Sequence, residues 1–77
     1  MTCADQSIDT RGTKCPMPVL KTKKALAKMS AGQVLLVLAS DPASMADLAE
    51  FARQTGHVVL SQEATPQGEF HHLIRHK

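Results

Sequence analysis

The chain has 77 residues, of which 43% are hydrophobic and 21% are charged, and its formal net charge at pH 7 is +2. A chain of this length forms a single domain, predicted over residues 1–77, that buries about 60% of the surface of its unfolded form. This size excludes an enzyme with a deep pocket or a bound cofactor of its own, and the small charge with only two aromatic residues argues against direct nucleic-acid binding.

The N-terminal residues, MTCADQSIDTRG, lack the basic start and apolar stretch of a secretory signal, which predicts a cytoplasmic protein. No apolar run is long enough to span a bilayer, so no contact with a membrane is expected. Residues 1–6 are predicted to form a mobile tail, and SIDT, residues 7–10, a short first strand.

The two cysteines, Cys3 and Cys15, form neither a zinc constellation nor a CxxC pair. Cys3 lies in the predicted tail, where it is interpreted as an incidental exposed thiol. The alternative is a resolving cysteine that forms a disulfide with Cys15 on oxidation.

The stretch TKCPMPVLKTKKAL, residues 13–26, predicts a helix that runs from about Pro16 to Met29 and has Cys15 as its N-cap. A thiol is unusual there, because helix starts normally use Ser, Thr, Asp or Asn. Pro16 fills the favoured first position and Pro18 removes a further donor, which leaves the N–H of Met17 as the donor nearest the sulfur.

This position predicts a reactive thiol. The positive end of the helix dipole and a cluster of nearby lysines should lower the pKa of Cys15 and raise its thiolate fraction. The competing interpretation is a small apolar side chain buried beneath the helix. The lysines of the cluster are Lys14, Lys21, Lys23, Lys24 and Lys28.

Lys23 falls on the apolar arc of the predicted helix, between Leu20, Leu26 and Ala27. One interpretation is that its stem covers apolar surface while the ammonium reaches water. The other is that its charge is directed toward the helix start and Cys15.

The next segments predict a strand and a helix. QVLLVLAS, residues 33–40, is a continuous apolar run typical of a central strand. In residues 41–56, Asp41 has the position of an N-cap, Pro42 of the first helical residue and Gly56 of the C-terminal stop. Asp41 is interpreted as this cap, and a functional carboxylate near Cys15 is the alternative.

Residues 57–63 and 69–77 predict two antiparallel strands joined by a turn at residues 65–68. The order β-α-β-α-β-β predicts a two-layer α/β sandwich, with a four-stranded mixed sheet and both helices on one face. Four histidines raise the question of a metal site. His72 and His76 would stand about 13 Å apart along a strand, so no metal is predicted.

The residues around Cys15, DTRGTKCPMPVLKTKKAL, resemble the CPxP signature of the TusA family of small sulfur-carrier proteins. GQVLLVLASDPASMADLAEFARQTGHVV and FHHLIRHK are similar to the rest of that family's pattern, so the resemblance extends from about Ile8 to Lys77. It implies that Cys15 accepts a sulfane sulfur as a persulfide and passes it on. It also implies the β-α-β-α-β-β sandwich.

The resemblance further implies a relay without a bound cofactor. A sulfur donor such as a cysteine desulfurase or a rhodanese would load Cys15, with Pro16, Met17, Pro18 and Lys23 supporting the site. An acceptor protein would then take the sulfur. The pathways associated with the family are transfer RNA thiolation, cofactor synthesis and sulfur oxidation. A monomer suits such successive docking.

Two other functions stay open at this point. Similar sandwiches occur in nucleic-acid-binding proteins, which allows a regulatory module that binds RNA or protein without catalysis. A thiol redox protein that uses Cys15 and Cys3 is the third hypothesis, although it lacks the CxxC spacing typical of that chemistry.

Overall fold

The computed structural model describes residues 4–77. None of the helices in this part of the chain is long and apolar enough to cross a bilayer. The elements follow the predicted order: β1 (Gln6–Asp9), α1 (Met17–Leu26), β2 (Val34–Ala39), α2 (Ser44–Thr55), β3 (Val58–Ala64) and β4 (Phe70–Arg75).

The strands form one mixed sheet in the order β1-β2-β4-β3. β1 runs parallel to β2, whereas β4 is antiparallel to both of its neighbours. β2 is central, as its continuous apolar run predicts. Leu35 and Val37 are fully buried against the helices, and Leu36 and Leu38 are half-buried on the opposite face.

Both helices pack on the same face of the sheet, so the predicted two-layer α/β sandwich is confirmed. Each helix contributes to one hydrophobic core, in which the side chains of α1 and α2 contact β2 and β4. Within residues 4–77, this core supplies the apolar burial that offsets the entropy of folding. The buried residues of the core are Leu26, Leu35, Val37, Leu48, Phe51 and Ile74.

The C-terminal hairpin forms as predicted. Thr65 N–H donates to Glu69 O at 2.8 Å, and the φ of Gly68 is +82°, a value that favours glycine in the turn. β3 also contains a β-bulge between Val59 and Ser61. The intervening Leu60 is 41% exposed.

The N-terminal prediction needs a correction. Asp5 and Gln6 were placed in a mobile tail of residues 1–6, but Asp5 N–H donates to Val34 O at 2.8 Å and Val34 N–H donates to Asp5 Oδ2 at 2.8 Å. Gln6 is the first residue of β1. The two hydrogen bonds between Asp5 and Val34 therefore hold Asp5 and Gln6 in the ordered part of the protein. Cys3 lies outside the described residues.

Both helices begin later than predicted. α1 starts at Met17 instead of Pro16, and its regular turns end at Leu26 instead of Met29. α2 starts at Ser44, so Asp41 is not its N-cap. Ser44 N–H donates to Asp41 O at 2.9 Å, an i to i+3 bond that makes residues 41–44 a tight turn ahead of the helix.

The end of α2 agrees with the prediction. Gly56 has a φ of +89°, and its N–H donates to Ala52 O at 2.8 Å. This left-handed glycine terminates the helix and turns the chain into β3.

Candidate functional site

Cys15 is exposed in the loop between β1 and α1. Its predicted place as the N-cap is wrong, because Pro16 occupies that position with a φ of −97° and Cys15 precedes it. The peptide bond between the two residues is cis. Met17 N–H, the donor expected near the sulfur, donates to Lys14 O at 2.8 Å instead.

Asp41 holds the loop in place. Its Oδ2 accepts the N–H of Cys15 at 2.8 Å, and its Oδ1 accepts the N–H of Ala43 at 3.0 Å. The Ala43 bond and then the Cys15 bond lower the pKa of Asp41 below its usual value. The carboxylate therefore caps the tight turn before α2 and joins it to the backbone of Cys15, so Asp41 lies beside Cys15 although it is not the N-cap of the helix.

The start of the loop is joined to the end of β2 by side chains that sequence reasoning missed. Thr10 is fully buried, and its Oγ1 donates to Leu38 O at 2.7 Å. Gly12 N–H donates to Ser40 Oγ at 2.8 Å. A hydroxyl residue directly after each parallel strand was the available signal, since the ends of parallel neighbours meet at one edge of the sheet.

The electrostatics around the thiol oppose the prediction of a lowered pKa. The carboxylate of Asp47, as an acceptor for the thiol proton, is the largest cause that raises the pKa of Cys15, followed by desolvation and by the negative charges of Asp47 and Asp41. The negative charges come from Asp47 in the first turn of α2 and from Asp41 in the turn ahead of the helix. Asp47 was missed, although it is the acidic residue in the first turn of α2.

The predicted supporting residues have different environments. Pro18 is buried and fixes the first turn of α1 on the core, whereas Met17 is 40% exposed beside the thiol. Lys23 was placed on the apolar arc, but its side chain is exposed and Thr22 occupies the buried face instead. The prediction that Lys23 lies on the apolar arc is therefore wrong, whereas an effect of its charge on Cys15 stays a prediction.

The other candidate ligands are spread over the molecule. Within residues 4–77, no three His, Cys, Asp or Glu side chains are grouped as a metal site. His72 is fully buried and hydrogen-bonds Ser44 Oγ at 3.1 Å through Nε2. The described residues therefore offer one exposed sulfur nucleophile near two carboxylates, with a small cleft of about 240 Å³ formed by the adjoining loops.

Comparison with known proteins places this geometry in a family. The family model described as sulfurtransferase TusA matches residues 6–76, which include the whole loop around Cys15. The chain belongs to the TusA family. The resemblance carried by the CPxP signature is thereby confirmed.

Individual TusA relatives agree in length as well as in sequence. The sulfur carrier protein TusA of Allochromatium vinosum is 46% identical over 71 residues, which cover 92% of each chain. A putative sulfur carrier protein of Neisseria meningitidis serogroup A is 48% identical over 73 residues, covering 94% of this chain and 96% of its own.

A solved structure supports the TusA fold independently. The crystal structure of a SirA-like protein from Desulfitobacterium hafniense superposes with a TM-score of 0.82 at 32% sequence identity. The match covers 91% of this chain and 95% of the other. The four-stranded sheet with two helices on one face is therefore shared by a relative of known structure.

Proposed function

We propose that this TusA-family protein is a sulfur carrier that accepts sulfane sulfur on Cys15 as a persulfide and delivers it to another protein. The observation that carries the proposal is the exposed thiol on a loop that Asp41 fixes through the backbone of Cys15. A carrier needs a nucleophile that two different proteins can reach in turn. A fixed and exposed loop meets that requirement without a pocket.

The chemistry is a pair of thiol exchange steps. The Cys15 thiolate attacks the terminal sulfur of a donor persulfide, a new S–S bond forms on Cys15, and the donor sulfur leaves as a thiolate that takes up the proton lost by Cys15. An acceptor thiolate later attacks the same terminal sulfur and releases Cys15. Neither step has net oxidation, because one sulfane sulfur moves between thiols.

The surface beside the thiol suits protein partners. Met17 and Leu20, on the first turns of α1, are 40% and 51% exposed. Exposed apolar side chains next to a reactive group are typical of surfaces that partner proteins cover. Donor and acceptor proteins would supply the enclosure that this small domain lacks, and a cysteine desulfurase or rhodanese is the proposed donor class.

The alternatives have less support from the described residues. A redox function needs Cys3, which lies outside them, and no feature of residues 4–77 favours RNA over protein as a partner. The term sulfurtransferase applies in the sense of a relay, since the carrier returns to its thiol form after each delivery. A cytoplasmic location and a monomeric state stay predictions.

Loading with a persulfide donor, followed by intact-protein mass spectrometry, tests the proposal. The mass should rise by about 32 Da for each sulfur bound and fall again with reductant. Cys15→Ser should keep the wild-type melting temperature and show no reducible adduct, whereas Cys3→Ser should load like the wild type. Loading of Cys15→Ser, or loss of loading in Cys3→Ser, would contradict the assignment to Cys15.

A further inference from the structure

A groove of about 600 Å³ runs along the side of α1 that faces β1. Its floor is apolar and consists of Ile8, Ala25 and Met29, which also pack against the hydrophobic core. Exposed lysines from α1 and the turn after it form one rim of the groove. These are Lys21, Lys24 and Lys28.

The positive charge of this rim is not neutralised within the described part of the chain. None of the three lysines has an ion pair in residues 4–77. Asp9 is the one carboxylate that lines the groove, and Arg11 binds both of its oxygens, with Nη2 at 2.8 Å from Oδ2 and Nε at 2.9 Å from Oδ1. The groove therefore combines an apolar floor with an unbalanced basic rim, which is complementary to an acidic, partly apolar ligand.

The other boundary of the groove is a strand at the end of the sheet. β1 pairs with β2 on one side, and no strand of residues 4–77 pairs with its other side. An edge strand of this kind can accept an added strand through its backbone N–H and C=O groups. Because side chains alternate between the two faces, every second side chain of an added strand would point to the helix side, where the groove lies.

We propose that this groove docks an extended acidic segment of a partner protein, which pairs with the free edge of β1. Apolar side chains of the segment contact Ile8 and Met29, and its carboxylates bind the lysine rim. The ten residues of α1 span about 15 Å, and the groove follows them away from Cys15. A partner held in this way leaves the thiol accessible, so the docking is separate from the sulfur chemistry.

The experiment uses a short peptide probe, acetyl-Glu-Glu-Val-Val-Val-Glu-Glu-amide, titrated into the isotope-labelled protein and followed by NMR. Shift changes should be concentrated in β1 and at the methyl groups of Ile8 and Met29. Lys24→Glu combined with Lys28→Glu should weaken binding about tenfold, because two attractive charges become repulsive.

The matched control is Lys23→Glu, which makes the same kind of change on an exposed neighbour that does not line the groove. It should bind the probe with an affinity within about twofold of the wild type. Thermal melts of all variants verify that they fold. Cys15→Ser should bind the probe normally, so a failure of docking and a failure of sulfur transfer are distinguishable.

Four outcomes of the peptide titrations would overturn the proposal. They are equal binding of the lysine peptide Lys-Lys-Val-Val-Val-Lys-Lys, an equal effect of Lys23→Glu, shift changes confined to other surfaces, or undiminished binding of a probe N-methylated along its pairing edge. Dodecanoate is titrated in parallel. Its occupation of the groove without binding of the acidic peptide would assign the groove to a small amphiphile and also reject the docking of a protein segment.

Discussion

At the scale of single residues, Cys15 is restrained by carboxylates. Asp41 binds its backbone N–H, and the nearby carboxylate of Asp47 raises the pKa of the thiol. A thiol with a raised pKa is mostly protonated at neutral pH and reacts slowly with passing electrophiles. The reactivity of the thiol near neutral pH should therefore rise when the carboxylate of Asp47 is removed.

Asp47→Asn tests this restraint directly. The change replaces the carboxylate acceptor, which is the largest cause of the raised Cys15 pKa, and also removes its negative charge, so the pKa should fall and alkylation by iodoacetamide near pH 7 should become faster. The measurement is the alkylation rate as a function of pH. Glu50→Gln is the matched control, because Glu50 lies on the same helix but is engaged by Arg53. An unchanged profile in Asp47→Asn would show that the carboxylate does not hold the thiol proton.

At the scale of elements, local sequence signals predicted the strands better than the helix ends. The apolar run of β2 and the turn residues of the hairpin determine those elements, because burial and turn geometry depend on adjacent residues. The start of α2 was misplaced for the opposite reason. Asp41 has the sequence pattern of a cap, but its second oxygen binds Cys15, a contact between residues 26 positions apart that no local pattern contains.

The predicted buried face of α1 was also wrong, again because it was inferred from local sequence alone. The apolar residues Leu20 and Ala27 suggested a buried face that includes Lys23, whereas the helix buries Pro18, Thr22 and Leu26. Leu20 is left exposed near Cys15. A helical wheel finds the most apolar face, and it cannot separate a core from a surface that is apolar because partners bind there.

Thr22 should be replaceable with a gain in stability. It is fully buried, and its Oγ1 has no hydrogen-bond partner within residues 4–77. Thr22→Val keeps the shape and removes the buried hydroxyl, so the free energy of unfolding should rise by about 1 kcal/mol. Urea denaturation measures the change. Thr55→Val is the control, since Thr55 Oγ1 donates to Phe51 O at 2.7 Å and its loss should destabilise the protein. A destabilised Thr22→Val would mean that the hydroxyl is paired in solution.

At the scale of the whole molecule, a network of side-chain hydrogen bonds connects the sheet to the helical layer. His72 on β4 hydrogen-bonds Ser44 at the start of α2 through Nε2 and Gln62 on β3 through Nδ1, at 3.1 Å and 3.2 Å. Gln62 also donates to Met45 O at 2.8 Å. These hydrogen bonds link the hairpin of β3 and β4 to the start of α2. The start of α2 in turn supports Asp41 and Asp47 near the thiol.

This network predicts a loss of stability in acid. Burial, and then the charge of His71, lower the pKa of His72 in the folded protein. The unfolded chain protonates its histidine near pH 6.5, so between that pH and the lower folded pKa the unfolded state binds more protons. The free energy of unfolding should therefore be steady above about pH 7.5 and fall as the pH drops through about 6.5.

Denaturation curves between pH 5 and 8 measure this dependence. His72→Gln should show a smaller decline than the wild type, although it is less stable throughout. His71→Gln, which changes a half-exposed neighbour, should keep most of the decline. The pH dependence of stability that remains in His72→Gln should come partly from His57, whose pKa is also lowered, chiefly by burial. Equal slopes in the wild type and in His72→Gln would reject the role of the buried ring.

The β-bulge in β3 gives the sheet two unlike ends. At the β3 edge of the sheet, the strand has one extra residue relative to regular pairing. An additional strand that paired with β3 would therefore lose register after Val59. The opposite end, at β1, has a regular register with β2 over four residues. A bulged edge disfavours the addition of a further strand. We therefore expect a strand added at β1 to leave no second regular edge for another copy, so that strand addition does not build a polymer.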